Sequence, residues 1–243
     1  MNKYRKLFKF NSINQTMSLR EVRKKVFKKE EDIFAYPFRY ISTIITMILA
    51  KTSITSLQVT WIHLIIGIIS AVLFSFGKYN LAIIAFILYL ISMILDFVDG
   101  EIARYKNIRS EVSIWLDHVS DNILLFLIII GIAIGEFQIN KDFSILIIAL
   151  IALLITASMG IINISKRTSE KMKQSKAIVL PIKFRYVKKF HVGIFVLSSL
   201  ILIISPIIKQ VEIMFITYVI IMFFAMIKSF LNRIKLIKKE FNE

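Results

Sequence analysis

Apolar residues run through this chain in blocks about twenty residues long, broken by short polar turns. Neither the alternation of a half-buried strand nor the one-sided stripe of a water-soluble helix produces such a pattern. A helix needs about 20 residues to cross the roughly 30 Å hydrocarbon core of a bilayer. Six blocks meet that length, and they predict spans over residues 59–76, 80–104, 112–136, 143–164, 190–208 and 211–231. The turns predicted at 77–79, 137–142 and 209–210 are short, so the helices they join are antiparallel neighbours. A further apolar run over residues 40–50, stopped by Lys51, has about half the length of a span and is expected to lie in the interface or dip into it.

The first 35 residues are basic and polar, with no apolar stretch of the kind a cleaved signal peptide carries. Ser18 and Glu21 have capping-box spacing, and Leu19, Val22, Val26 and Phe27 give one side of the segment an apolar character. The expectation is an N-terminal juxtamembrane amphipathic helix on an anionic surface, to which each Lys or Arg contributes about 1 kcal/mol. Three regions follow: a basic juxtamembrane and interfacial region (1–58), a six-helix body (59–231) and a basic tail (232–243).

Composition strengthens this picture. At 57% hydrophobic residues and a mean hydropathy of +0.72, the 243-residue chain is too apolar for a soluble domain and reads as an all-α polytopic membrane protein. With no cysteine it has neither a disulfide framework nor a thiolate metal site, and His63, His118 and His191 lack zinc-ligand spacing. Of the 32 Lys and Arg residues, all but Lys78, Lys141 and Lys209 fall on one side of a six-span arrangement. The positive-inside rule then puts both termini and the two basic loops in the cytoplasm. The basic residues adjoin spans rather than a folded reader module, so no nucleic-acid partner is expected.

The polar positions inside the spans carry the chemistry. Four of the six aspartates, Asp96, Asp99, Asp117 and Asp121, fall within 26 positions. On a helix Asp96, Asp99, Gly100 and Ala103 share one face, as do Ser113, Asp117 and Asp121 on the next. Two antiparallel helices joined by the polar turn at 106–110 would bring four carboxylates together beside two strips of small side chains. Hard cations take oxygen ligands, and Mg²⁺ usually arrives with substrate phosphates. Four acids in low dielectric require a counter-charge, and a two-metal clamp suits displacement at phosphorus. Arg104 adds a planar fork suited to phosphate oxygens. Helical rise places both acid pairs just below the cytoplasmic interface, with Asp96 roughly 25 Å into its span from the outer side.

These residues resemble the signature of the CDP-alcohol phosphatidyltransferase family, D-x-x-D-G-x-x-A-R, seven or eight residues, then G-x-x-x-D-x-x-x-D. Asp96, Asp99, Gly100, Ala103, Arg104, Asp117 and Asp121 meet the pattern, and Ser113 stands where the family has glycine. Upstream, Thr55, Val59 and Thr60 match a Thr-Pro-Asn-x-Val/Ile-Thr element, with Ser56 and Leu57 in place of Pro and Asn. The resemblance implies a membrane transferase in phospholipid biosynthesis. An acceptor hydroxyl would attack the β-phosphorus of a CDP-alcohol, CMP would leave, and a phosphodiester would form. It implies Asp121 as general base, and Asp96, Asp99, Asp117 and Asp121 as ligands of two Mg²⁺ or Mn²⁺ ions. Gly100, Ala103 and Ser113 would line the cytidine site, and Arg104 would steady the diphosphate or the acids. Relatives are commonly homodimers.

The leading donor class is CDP-diacylglycerol or an ether analogue, and a soluble CDP-alcohol of the choline, ethanolamine or inositol type stays open. A cation transporter is the reading from a different class. Against it, the first, fourth and fifth spans contain no Asp or Glu, whereas an ion path would scatter polar groups across the midplane. In the basic stretch at 166–189, Lys166 and Arg167 are candidates for an acceptor phosphate. Trp61, Tyr79 and Trp115 read as interfacial anchors, Pro206 as a kink, and Gly131 with Gly135 as a close-packing pair serving either a dimer or the bundle.

Overall fold

The structure is a computed structural model that describes Val22, Val26 and residues 36–108, 111–176 and 187–241, without the side chains of 36, 111, 112, 114, 163–176, 187–195 and 236–241. The described residues form seven helices: α1 (Tyr36–Leu49), α2 (Ser56–Ser75), α3 (Tyr79–Tyr105), α4 (Glu111–Asn140), α5 (Ser144–Lys176), α6 (Val187–Ile208) and α7 (Val211–Phe241). The all-α membrane architecture expected from the hydropathy pattern is therefore present. Five stretches, Ser56–Ser75, Tyr79–Tyr105, Trp115–Asn140, Ser144–Ile162 and Val211–Lys235, are long and apolar enough to cross a bilayer. The described side chains of α6 supply a shorter apolar stretch, Val196–Ile208, within a 22-residue helix. Of the expected juxtamembrane helix, Val22 and Val26 alone are described; both are helical and buried.

Helix ends differ from the predicted spans where local chemistry outlasts the apolar pattern. α4 continues to Asn140, whose side-chain amide donates to Glu136 Oε1 one turn back at 2.7 Å, and stops at Lys141 with φ 56°. α5 continues to Lys176 because Lys, Glu, Met and Gln are good helix formers whether or not lipid surrounds them. α7 likewise runs to Phe241, so most of the expected basic tail is helical. Pro206 lies inside α6, where its ring leaves the Leu202 carbonyl without an N–H donor, and Ser205 Oγ donates to that carbonyl at 2.6 Å.

Packing centres on α2, which lies along both α3 and α4, while α5 and α6 pack on α7 and join the first group through α4–α5, α3–α6 and α4–α6 contacts. The α2–α4 approach is close enough to forbid side chains. A Cβ at Gly131 would overlap the Ala71 carbonyl oxygen, and one at Gly135 the Phe74 carbonyl oxygen. Gly131 and Gly135 therefore serve the bundle itself. The α2–α3 turn closes through Gly77 at φ +65°, a conformation that favours glycine. The core joins both groups through Leu125, Ile128, Ile129, Leu202, Ile203, Phe215 and Tyr218. Thr156 and Tyr218 share a buried 2.8 Å hydrogen bond between α5 and α7. Ile65, Ile87, Leu154 and Phe224 point outward, as a lipid-facing surface requires.

At the end where the turns Gly77–Lys78, Lys141 and Lys209 fall, Lys78, Glu136, Asn140 and Lys209 border one cavity of about 400 Å³. The aspartate-bearing ends of α3 and α4 lie at the other end of the bundle. There α1 docks on α3. Glu101, 1% exposed, accepts from Arg39 Nη1 at 3.2 Å, Ser42 Oγ at 2.7 Å and Thr46 Oγ1 at 2.8 Å. The Arg39 guanidinium also lies 4.4 Å from the Phe97 ring centroid. At 14 residues α1 is short for a span; its polar face is buried, while Tyr40, Ile41, Ile44 and Ile48 face outward.

Candidate functional site

Each acid sits where helical spacing puts it. Asp96 and Asp99 project from the last turns of α3, and Asp117 and Asp121 from the first half of α4. Between the helices, Asn107 takes φ 54° and the Ile108 N–H returns to the Ala103 carbonyl at 3.1 Å, which terminates α3. Lys106 Nζ donates to the carbonyls of Thr52 and Ile54, both at 2.7 Å, and so ties this turn to the start of α2. Partial burial holds the Lys106 ammonium below its ordinary pKa.

Candidate ligand oxygens of Asp96, Asp99 and Asp117 lie within 4.8 Å of one another. A second group within the same limit comprises Asp96, Asp121 and His63. The four sequence-predicted acids therefore meet through Asp96. Direct helix packing does not bring them together, because α3 and α4 pack far more on α2 than on each other.

α2 supplies what the aspartate signature did not reveal: Thr60, which the upstream element had matched, and His63, which no motif marked. Thr60 Oγ1 donates to Asp99 Oδ2 at 2.5 Å, and both residues are almost fully buried. One turn on, His63 is 1% exposed, with Nδ1 3.4 Å from Ser92 Oγ on α3 and Nε2 3.3 Å from Ser120 Oγ on α4. The signal for these residues was present. Thr60, His63, Gly67, Ser70 and Phe74 recur every three or four residues through an otherwise apolar span, and all are buried. Such a stripe marks the face turned toward the protein. Thr55 caps the same helix, with a complete capping box to Gln58.

The remaining candidates divide. Gly100 and Ser113 are half-buried and Ala103 is buried. A Cβ at Gly100 would meet Arg104 Nη1 at 3.3 Å, so the guanidinium lies over this glycine. Arg104 Nε donates to the Val26 carbonyl at 2.8 Å, which joins the N-terminal segment to the end of the motif. Lys166 and Arg167 belong to α5, and their side chains lie outside the described residues. Asn122 donates to the His118 carbonyl at 2.7 Å and stands beside Gly160 of α5. Trp61, Tyr79 and Trp115 are all exposed, the two tryptophans toward the acidic end and the tyrosine at the other.

The family model described as CDP-alcohol phosphatidyltransferase matches residues 41–230, which takes in α1 from its second turn and nearly all of the bundle. A similar solved structure is that of Mycobacterium tuberculosis phosphatidylinositol phosphate synthase with CDP-DAG bound. It is 17% identical, with a TM-score of 0.53 over 75% of this chain and 90% of that one. No curated protein matches the sequence.

Proposed function

The chain belongs to the CDP-alcohol phosphatidyltransferase family, and from that premise we propose that it transfers a substituted phosphate from a lipid-linked CDP-alcohol of the CDP-diacylglycerol type to an acceptor hydroxyl, releasing CMP. The observation that carries this reading is the meeting of four motif acids from two helices at one end of the bundle. The neighbour bound to CDP-DAG supports the lipid-linked donor.

The donor set fits divalent cations. Carboxylate oxygens are hard ligands, and like charges within 4.8 Å in a desolvated site require a counter-charge. Asp96, Asp99, Asp117 and Asp121 would hold Mg²⁺ or Mn²⁺, two ions being the natural number for two acid pairs. When bound, the ions neutralise the diphosphate and polarise the phosphorus under attack.

The chain's own groups do the rest. Asp121 takes the proton of the acceptor hydroxyl, whose oxygen forms the new bond to phosphorus as the bond to the CMP oxygen breaks. Thr60 fixes the orientation of Asp99. Gly100, Ala103 and Ser113 leave room for the cytidine, and Arg104, anchored through Nε to Val26, steadies the diphosphate or the acidic cluster. Lys166 and Arg167 bind a phosphate on the acceptor. Residues 59–231 form the catalytic body, 1–58 the membrane-surface region and 232–243 the tail, and the protein works as a homodimer. The site and both termini face the cytoplasm, a placement supported by the charge asymmetry: of the 32 Lys and Arg residues, only Lys78, Lys141 and Lys209 fall in the turns assigned to the opposite side.

The test is CMP release by detergent-purified protein with Mg²⁺ or Mn²⁺ against a panel of lipid-linked and soluble CDP-alcohols and acceptors. Metal-dependent release from a lipid-linked donor, lost in Asp121→Asn, is the expected result. Release from a soluble donor alone would overturn the donor assignment, and no release from any pair would overturn the reaction.

A further inference from the structure

Two helices carry the acids, yet they pack on a third rather than on each other. The distance between the α3 pair and the α4 pair must therefore be set through α2. Along α2, the residue that reaches both partners at the level of the acids is His63.

The ring bridges three elements. Nδ1 lies 3.4 Å from Ser92 Oγ, and Ser92 is one helical turn before Asp96 on the same face of α3. Ser92 Oγ in turn donates to the His63 carbonyl at 2.8 Å, so this side of the bridge is doubled. On the other side Nε2 lies 3.3 Å from Ser120 Oγ, and Ser120 adjoins Asp121 and lies 2.9 Å from the Asp117 carbonyl. A neutral ring donates through Nδ1 to Ser92 and accepts at Nε2 the Ser120 hydroxyl proton, which turns from that carbonyl to the ring. All three side chains are buried. Gly67, the next small residue on this face of α2, lies so close to Leu124 of α4 that a Cβ there would overlap its side chain, so α2 and α4 are also in close contact one turn beyond the bridge.

We propose that His63 is a positioning residue: by bridging Ser92 on α3 and Ser120 on α4 it sets the separation of the two acid pairs, and so the affinity of the shared cation site. The inference rests on the reading that the acids bind a divalent cation. Partners that orient metal ligands are typically worth 10- to 100-fold in metal affinity when removed. A histidine that served packing alone would contribute to folding without that selectivity.

The experiment measures Mn²⁺ binding to the purified full-length protein by calorimetry, together with the metal-free melting temperature. His63→Phe keeps a ring of similar size and removes both bridges; its Mn²⁺ dissociation constant is expected to rise 10- to 100-fold. His63→Gln, which keeps an acceptor near the Nε2 position, is expected to recover part of that loss. Ser92→Ala and Ser120→Ala are expected to weaken Mn²⁺ binding in the same direction, and they carry the test if His63→Phe does not fold. Asp117→Asn separates the two levels. If it leaves Mn²⁺ binding intact, the cation-site reading fails. If it abolishes binding while His63→Phe and both serine variants stay within twofold of the parent, the positioning role alone fails. A nitrogen directly coordinated to bound Mn²⁺ in the spin-echo spectrum of the parent and absent from that of His63→Phe would also overturn that role, since it would make His63 a ligand.

Discussion

Replacing Glu101 by alanine is expected to unfasten α1 from the site. The carboxylate is 1% exposed and accepts from Arg39, Ser42 and Thr46, at 3.2, 2.7 and 2.8 Å. Hydrogen bonds to charged groups contribute roughly 1.5–3 kcal/mol each when removed singly. The three share one acceptor group and relax together, so a plain sum overstates the loss. The better guide is the removal of one partner of a buried ion pair, which costs about 3–5 kcal/mol because the other charge is left behind. Here that charge is Arg39, whose side chain is 11% exposed. Unfolding by SDS titration in mixed micelles, followed by the fluorescence of Trp61 and Trp115, measures the loss. Adding Arg39→Met to Glu101→Ala should restore much of it, because no buried charge then lacks its partner. A loss below about 1 kcal/mol for the single variant, or a double variant equal to the sum of the singles, would refute the argument that charge pairing holds α1 in place.

Gly131→Ala, whose new Cβ would overlap the backbone at Ala71, should destabilise by about 1–3 kcal/mol, whereas Gly160→Ala, which meets a side-chain atom of Asn122 at 3.1 Å, should cost less; thermal unfolding in one detergent compares them. Because the chain has no cysteine, single-cysteine labelling reports topology cleanly. Cysteines at Lys78, Lys141 and Lys209 should react with an impermeant maleimide added outside intact cells, and one at Ile108 should not; the reverse pattern would invert the orientation. At the α4–α5 turn, Ser144 N–H and Oγ–H donate to Asp142 at 2.9 and 2.8 Å and hold its carboxyl below the usual range. A depressed folded-state pKa gives stabilisation that is present above the unfolded value, about 4, and lost as pH falls through the lower folded value. The melting-temperature gap between the parent and Asp142→Ala should thus be full at neutral pH and close under acid conditions. A gap that persists at low pH would count against this.

Hydropathy made the fold legible because length and apolar content alone decide which helices can cross a bilayer. The turns at Gly77 and Lys209 were legible for the same reason, each being a short polar break, although only Gly77 is a residue suited to the positive φ that both adopt. The far ends of α5 and α7 were not, since they continue past the long apolar blocks into Lys- and Glu-rich sequence, where helix propensity in water sets the boundary. The acids were found because one helix face displays each pair at fixed spacing within a single element. Their juxtaposition was harder to read. The sequence suggests that two consecutive helices meet directly, and instead both lean on α2.

That difference explains what the aspartate signature left out. A motif is read along one helix, but a site between helices is fixed by residues that look across. Thr60 looks toward Asp99, His63 toward Ser92 and Ser120, and Glu101 toward Arg39, Ser42 and Thr46. Each is a polar side chain in an apolar stretch, where burial without a partner would cost several kcal/mol. A polar residue in a predicted span therefore implies a partner, either a carbonyl of its own helix, as for Ser199 and Ser205, or a side chain on another helix. The pairings follow once the stripes are drawn: Arg39, Ser42 and Thr46 on α1 form one stripe, and Thr60, His63 and Ser70 on α2 form the other. Reading polar residues as demands for partners, rather than as interruptions of hydropathy, would have placed α1 and α2 against α3 before any coordinate was known.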